Sequence, residues 1–351
     1  MQKVLIAFIV ILALGSGAFF YFNYFRHKTS TPATTGNPTI ELTNNGITHF
    51  GALVRAFGID KPGAVYSRGH LISQLDLLKT LGATDSRANI EVDPQINDDF
   101  VNLSVARKLE PTLVVEPLRF FEDQTESSVY KIAKDLATRY KGKVHYYQLA
   151  NEASGVAIKQ GFPGNKATDY DETKYAHLLG LLKGLSTGIH DGDPSAKRII
   201  SANWLGTGVI DRLIQDGVNF EIVGWDWYSG MGNDMVKKMD DGTSLDIPDH
   251  VRTINKKELW VVETNRDAGT LDDNTADQAN FLKTFIPNIQ AHKTVSGMFV
   301  FTLTDQCDSL TTGTGRMGLV SLTKAIDATC TIDKNKPAFA TVQQLFKQYA
   351  K

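Results

Sequence analysis

The apolar positions of this chain recur with two periods that alternate along its length. Short apolar runs lie at Phe50–Val54, Ala83–Arg87, Pro111–Val115, Val144–Ala150, Arg198–Ala202, Ile222–Tyr228, Leu259–Glu263 and Gly297–Leu303. Between them the spacing becomes that of a helix with one buried face, as in Leu71, Leu75 and Leu78, or Tyr175, Leu178, Leu179 and Leu182. Val129–Tyr140, Ala276–Ile289 and the closing Ala338–Tyr349 repeat that helical period. Strand-like runs alternating with amphipathic helices predict βα units around a parallel sheet. Eight such units predict a closed (β/α)8 barrel in one α/β domain. A doubly wound sheet would usually carry a glycine-rich phosphate turn after its first strand, and none follows Val54.

The amino-terminal stretch breaks this pattern. Val4 to Phe22 is almost wholly apolar, with Lys3 before it and Arg26 and Lys28 after it. About 20 apolar residues span a bilayer, so residues 1–27 are expected to form a hydrophobic helix that anchors the chain in the membrane. Ser16-Gly17-Ala18 keeps a cleaved signal peptide open as the alternative. Residues 28–46 are rich in Thr, Ser and Pro and predict a linker, which leaves 47–351 for the barrel. The barrel is therefore expected outside the cytoplasm, membrane-anchored or secreted. Export permits a disulfide between Cys307 and Cys330, which spacing alone does not establish, and two buried free thiols are nearly as good a reading. The net charge of −2, with both signs well mixed, argues against a nucleic-acid partner.

Barrel enzymes work at the carboxyl ends of their strands, so the polar residues that close the apolar runs are the candidates. The fourth run leads into Asn151-Glu152 and the seventh closes on Glu263. Cleaving an acetal needs one neutral carboxyl to protonate the leaving oxygen and one ionised carboxyl at the anomeric carbon. Strands four and seven lie on opposite arcs of an eight-stranded barrel, so the two glutamates would face each other across its mouth. A separation of about 5–5.5 Å would allow direct attack with retention of configuration. Either glutamate alone would more often be an ordinary loop residue.

Several segments resemble glycoside hydrolase clan A over roughly residues 47–349. Tyr147-Gln148-Leu149-Ala150-Asn151-Glu152-Ala153 is similar to the clan's strand-four Asn-Glu motif, and Trp260-Val261-Val262-Glu263-Thr264 to its strand-seven nucleophile motif. Leu81-Gly82-Ala83-Thr84-Asp85-Ser86-Arg87 resembles the strand-two segment that ends in an arginine near the nucleophile. Ile189–Lys197 resembles the exit from the fourth helix, and Lys336-Pro337-Ala338-Phe339 the start of the last one. The resemblance implies retaining hydrolysis of β-glycosidic bonds in a polysaccharide or oligosaccharide, without a cofactor or metal. It implies Glu152 as acid/base, Glu263 as nucleophile, Asn151 as a contact to the sugar 2-hydroxyl, and Arg87 and Tyr228 beside the nucleophile. Two positions depart from the clan's pattern. Asp226 stands where a histidine is common, and the eighth run holds Phe299 and Phe301 but no tryptophan.

Other residues have competing roles. Trp204, after the fifth run, is a candidate sugar platform. Trp225 and Trp227 share one face of the sixth run, where filling space competes with stacking on sugar. His49 and Glu116 flank runs where a subsite contact or a structural role is possible. Asp272-Asp273-Asn274 precedes a helical run, so capping is preferred to cation binding. The glycine-containing segment from Ser154 to Thr173 would line one side of the cleft. The protein is expected to act as a monomer. The alternatives are a non-catalytic glycan-binding barrel at the cell surface, or a transglycosylase using the same two glutamates.

Overall fold

The computed structural model describes residues 46–55, 67–116, 123–239, 242–324 and 329–349. Every apolar run overlaps a strand: β1 His49–Ala52, β2 Asp85–Asn89, β3 Glu110–Val114, β4 Tyr146–Ala150, β5 Lys197–Asn203, β6 Ile222–Tyr228, β7 Glu258–Asn265 and β8 Val295–Val300. The helices that follow are α1 Arg68–Leu81, α2 Pro94–Ala106, α3 Glu126–Arg139, α4 Glu172–Gly192, α5 Thr207–Gln215, α6 Ile247–His250, α7 Thr275–Ala291 and α8 Pro337–Tyr349. α6 runs on into a π-turn at Val251–Asn255. Side chains cap the helix starts: Ser67 accepts from the His70 amide, Asp171 from Lys174, and Asn274 from Asp277. Asn274 is thus a helix cap, while Asp272 pairs with Arg266.

These eight strands are all parallel, in the order β1-β8-β7-β6-β5-β4-β3-β2. Leu53 bridges Arg87, and the Phe50 and Arg87 carbonyls accept the Thr84 and Val54 amides at 2.8 Å. Those contacts join β1 to β2 and close the sheet into a barrel without edges.

Alternation along the strands sorts side chains into two cores. Outward residues such as Phe50, Tyr147, Val223, Trp225, Trp227 and Val261 pack under the helices. Trp225 and Trp227 are both fully buried there, so neither is a sugar platform. Inward residues Ile199, Ile222, Trp260, Val262 and Phe299, with Tyr146 against them, fill the barrel. Gly297 admits the Trp260 ring, which a Cβ at that position would overlap.

The floor is polar. The His49 ring lies 4.6 Å from that of Trp260, its Nδ1 is 2.9 Å from Asp85 Oδ1, and Nε2 is 3.3 Å from the Tyr146 hydroxyl. His49 stands at the amino end of β1, away from the carboxyl ends that build the mouth. A subsite role for it is therefore excluded, and the structural alternative holds.

Beyond β8, Cys307 and Cys330 form a disulfide, with their Cα atoms 5.9 Å apart. It ties the loop after β8 to the hairpin of Val320–Lys324 and Cys330–Asn335. Lys336, buried before α8, donates to Asp305 Oδ1 at 2.6 Å, Thr270 Oγ1 at 2.8 Å and the Arg316 carbonyl at 2.9 Å. Residues 1–27 and all of the linker except Gly46 lie outside the described residues. Among the described residues no helix is long and apolar enough to cross a membrane.

Candidate active site

Two bulges shape the mouth. On β7, Trp225 pairs with Val261 but Asp226 pairs with Glu263, which leaves Val262 as an extra residue. Strict alternation would turn Glu263 outward like Val261. The bulge instead aims both Val262 and Glu263 inward, as such insertions do when they re-aim a side chain. On β4 the register with β5 slips between Gln148 and Ala150. The chain then enters Glu152 in the left-handed region, at φ 49° and ψ 49°, before the short helix Ala153–Ala157. The Glu152 amide donates to Ser201 Oγ at 2.9 Å, which fixes this turn against β5.

Arg87, on β2, connects the two halves. It is 1% exposed, and its guanidinium donates in three directions. Nη1 reaches Glu263 Oε1 at 3.0 Å, Nη2 reaches Asn151 Oδ1 at 3.0 Å, and Nε reaches Gln148 Oε1 at 2.9 Å. The second Glu263 oxygen accepts from the Tyr228 hydroxyl at 2.7 Å. Both oxygens of Glu263 are thus held by donors, and its orientation is set. Asn151 Oδ1 accepts from Arg87 and from Gln148 Nε2, so its amide nitrogen is the end left for another acceptor.

Glu152 differs from Glu263 in its surroundings. Burial, followed by the negative charge of Glu263, raises its pKa from 4.5 to about 7, while a hydrogen bond from Asn203 opposes the rise. Ser154 Oγ donates to Asn203 Oδ1 at 2.6 Å, leaving the Asn203 amide nitrogen for Glu152. Burial also pushes the Tyr228 hydroxyl well above its usual range, with Glu263 adding to the rise. One carboxyl therefore holds a proton near neutrality, and another faces it between a guanidinium and a phenol.

Of the residues singled out in the sequence, Glu152, Glu263, Asn151, Arg87 and Tyr228 come together at one mouth. Glu116 follows β3, and its charge adds to the raised pKa of Glu152 after burial and Glu263. Trp204 is half-buried in the turn after β5, with φ 48° and the Lys237 ammonium 5.0 Å from its ring centroid. The segment after Glu152 stays on the mouth side, through Ser154 on Asn203 and the Gly208 amide on the Gly164 carbonyl. Phe299 stacks on Trp260 inside the barrel at 5.6 Å, whereas Phe301 lies against Tyr228 at the rim. Gln148, Ser201 and Asn203 were not singled out in the sequence. Their signal is a polar residue at every second position of an otherwise apolar strand, which marks inward polar groups. No group of three or more His, Cys, Asp or Glu able to hold a metal ion occurs among the described residues.

No protein-family model and no curated protein sequence matches the chain. Solved structures do match. A family 1 β-glucosidase from Thermotoga maritima has a TM-score of 0.59 and 13% identity, covering 86% of this chain and 98% of its own. A hyperthermophilic β-glucosidase from Pyrococcus furiosus has a TM-score of 0.63 and 12% identity, covering 88% and 96%. The Thermotoga maritima β-glucosidase in complex with glucoimidazole has a TM-score of 0.59 and 13% identity, covering 88% and 100%. This chain shares their barrel fold. At such identities the likeness is one of fold, and the chemistry has to come from the side chains at the mouth.

Proposed function

We propose that this chain is a clan A glycoside hydrolase that cleaves β-glycosidic bonds with retention, Glu152 serving as acid/base and Glu263 as nucleophile. The observation that carries the reading is a Glu263 whose two oxygens are held by Arg87 and Tyr228, paired with a Glu152 whose carboxyl is pushed up to about 7 by burial and Glu263. Protonated Glu152 gives its proton to the leaving oxygen while Glu263 attacks the anomeric carbon, forming a glycosyl ester. Glu152, now a carboxylate, takes a proton from water, which attacks the ester, releases the sugar and restores both groups. Asn151 offers its amide nitrogen to the sugar 2-hydroxyl, and Trp204 offers a face to a neighbouring ring.

The substrate is a β-linked oligosaccharide or polysaccharide. The barrel neighbours support that class, since β-glucosidases of this fold are solved with glucoimidazole and deoxynojirimycin bound. On the same reading the barrel works outside the cytoplasm as a monomer, anchored through Val4–Phe22. The Cys307–Cys330 disulfide supports an oxidising compartment. A screen of aryl β-glycosides and β-linked polysaccharides, with product anomers followed by proton NMR, tests the chemistry. Retained product from the wild type and none from Glu263→Gln is the expected result. Inverted product, or unchanged turnover in Glu263→Gln, would refute it. Fractionation of cells that express the full chain tests the anchor.

A further inference from the structure

One more carboxyl faces the mouth, and the double displacement does not use it. On β6, Trp225 and Trp227 point to the helices, so Asp226 and Tyr228 point inward, and Tyr228 indeed meets Glu263. Asp226 pairs in register with Asn203 of β5 on one side and with Glu263 of β7 on the other. Asn203 is the residue that bonds Glu152. Asp226 therefore stands beside Glu263 and next to the residue that bonds Glu152. It is fully buried, and neither of its oxygens has a hydrogen-bond partner among the described residues.

The charges around it decide its state. Glu263 on β7, Glu152 after β4 and Glu116 after β3 are the neighbouring carboxyls, Arg87 on β2 is the cation, and the Tyr228 hydroxyl lies on its own strand. Arg87 is committed to Glu263, Asn151 and Gln148. A further carboxylate here would be buried beside like charge, with the one nearby cation already paired to Glu263. Burial first, and the charge of Glu263 second, hold Asp226 protonated well above the usual carboxylate range. A protonated carboxyl is a hydrogen-bond donor.

We propose that Asp226 is a positioning residue for the catalytic pair, a donor whose O–H turns to whichever glutamate carries the negative charge. The inference rests on the double displacement described above. In that reaction Glu263 is the carboxylate before attack. Once Glu263 is esterified, Glu152 has given its proton to the leaving oxygen and is the carboxylate instead. A donor near the pair eases this movement of charge at both ends. Asp226 keeps its own proton throughout and is screened from the sugar by its burial. Its contribution belongs to kcat, not KM.

The test uses Asp226→Leu and Asp226→Asn with an activated aryl β-glycoside. Leucine fills a similar volume and removes an unpaired buried polar group, so its thermal midpoint should equal or exceed that of the wild type. Its kcat should fall about 10–100-fold, as for a lost hydrogen bond to a charged group, with KM changed less than about twofold. Asp226→Asn, which replaces O–H by N–H, should stay within about tenfold of the wild type. An infrared difference spectrum between wild type and Asp226→Asn at pH 7 should show a protonated carboxyl. Should the leucine variant fail to fold, the asparagine variant and the spectrum decide. An ionised Asp226, a loss confined to KM, or an asparagine variant as slow as the leucine one overturns the proposal. Turnover that needs Glu263 but ignores Asp226→Leu overturns this inference alone. A wild type without turnover on any aryl β-glycoside overturns the double displacement and this inference with it.

Discussion

Replacing Glu152 by glutamine should make the protein more stable while making it a poorer catalyst. In the unfolded chain a glutamate titrates near 4.5, whereas in the fold burial and Glu263 raise Glu152 to about 7. The folded state therefore keeps a proton that the unfolded state releases, and folding is penalised as pH rises between those values. The contribution of this group is most favourable below the unfolded pKa and is lost as pH climbs through the folded one. At about 1.4 kcal/mol per pKa unit the full penalty is about 3 kcal/mol. Because Glu152 is partly exposed at the mouth, about 2–3 kcal/mol is the magnitude to expect above pH 8. A glutamine in its place carries no such penalty, and its side-chain carbonyl can still accept from Asn203. Urea denaturation of both proteins at pH 4 and at pH 8 measures this. The two midpoints should coincide at pH 4, and the variant should be higher at pH 8. Equal or lower stability of the variant at pH 8 would refute the raised pKa, and with it the reason for calling Glu152 the acid. Wild-type turnover should also decline above about pH 7 as Glu152 loses its proton, and the decline should vanish for Glu152→Gln on a substrate whose leaving group needs no proton.

Arg87→Lys keeps the charge but not the three-way fork, so Glu263, Asn151 and Gln148 cannot all stay paired. Its kcat/KM should drop at least about 100-fold, with a stability loss of about 2–3 kcal/mol by chemical denaturation. Reducing the Cys307–Cys330 disulfide, which closes a 23-residue separation, should cost about 3 kcal/mol, read as a lower thermal midpoint in reductant. A Cβ at Gly188 would overlap the Tyr130 carbonyl where α4 crosses α3. Gly188→Ala should therefore destabilise by about 1–3 kcal/mol without changing the pH dependence of turnover, whereas Gly180→Ala on the same helix, whose Cβ would meet only the Glu126 carboxylate at 4.0 Å, should not destabilise.

The barrel was legible because its determinants are periodic and local. Alternating apolar runs and amphipathic stretches placed all eight strands, and only their ends moved, by one to three residues. Candidate site residues were legible for a related reason: polar groups that close apolar strands are few, and barrel topology sends them to one mouth. Gln148, Ser201 and Asn203 escaped notice because a single polar residue within a strand reads as noise until its neighbours are known.

The sequence by itself determined the (β/α)8 order, the chain positions of Glu152 and Glu263, and the candidate partners Arg87, Asn151 and Tyr228. Only the tertiary structure decided which way those groups face. Glu263 turns inward because Val262 is bulged against a strand more than thirty positions earlier, a two-against-one pairing that no local pattern encodes. Trp225 and Trp227 go to the helices, and His49 goes to the floor. Asp226, a mere departure from a motif when read along the chain, becomes a fully buried carboxyl beside Glu263, with its pKa pushed upward. Burial and the nearness of like charges set its chemistry, and both are properties of the assembled barrel, not of the chain order.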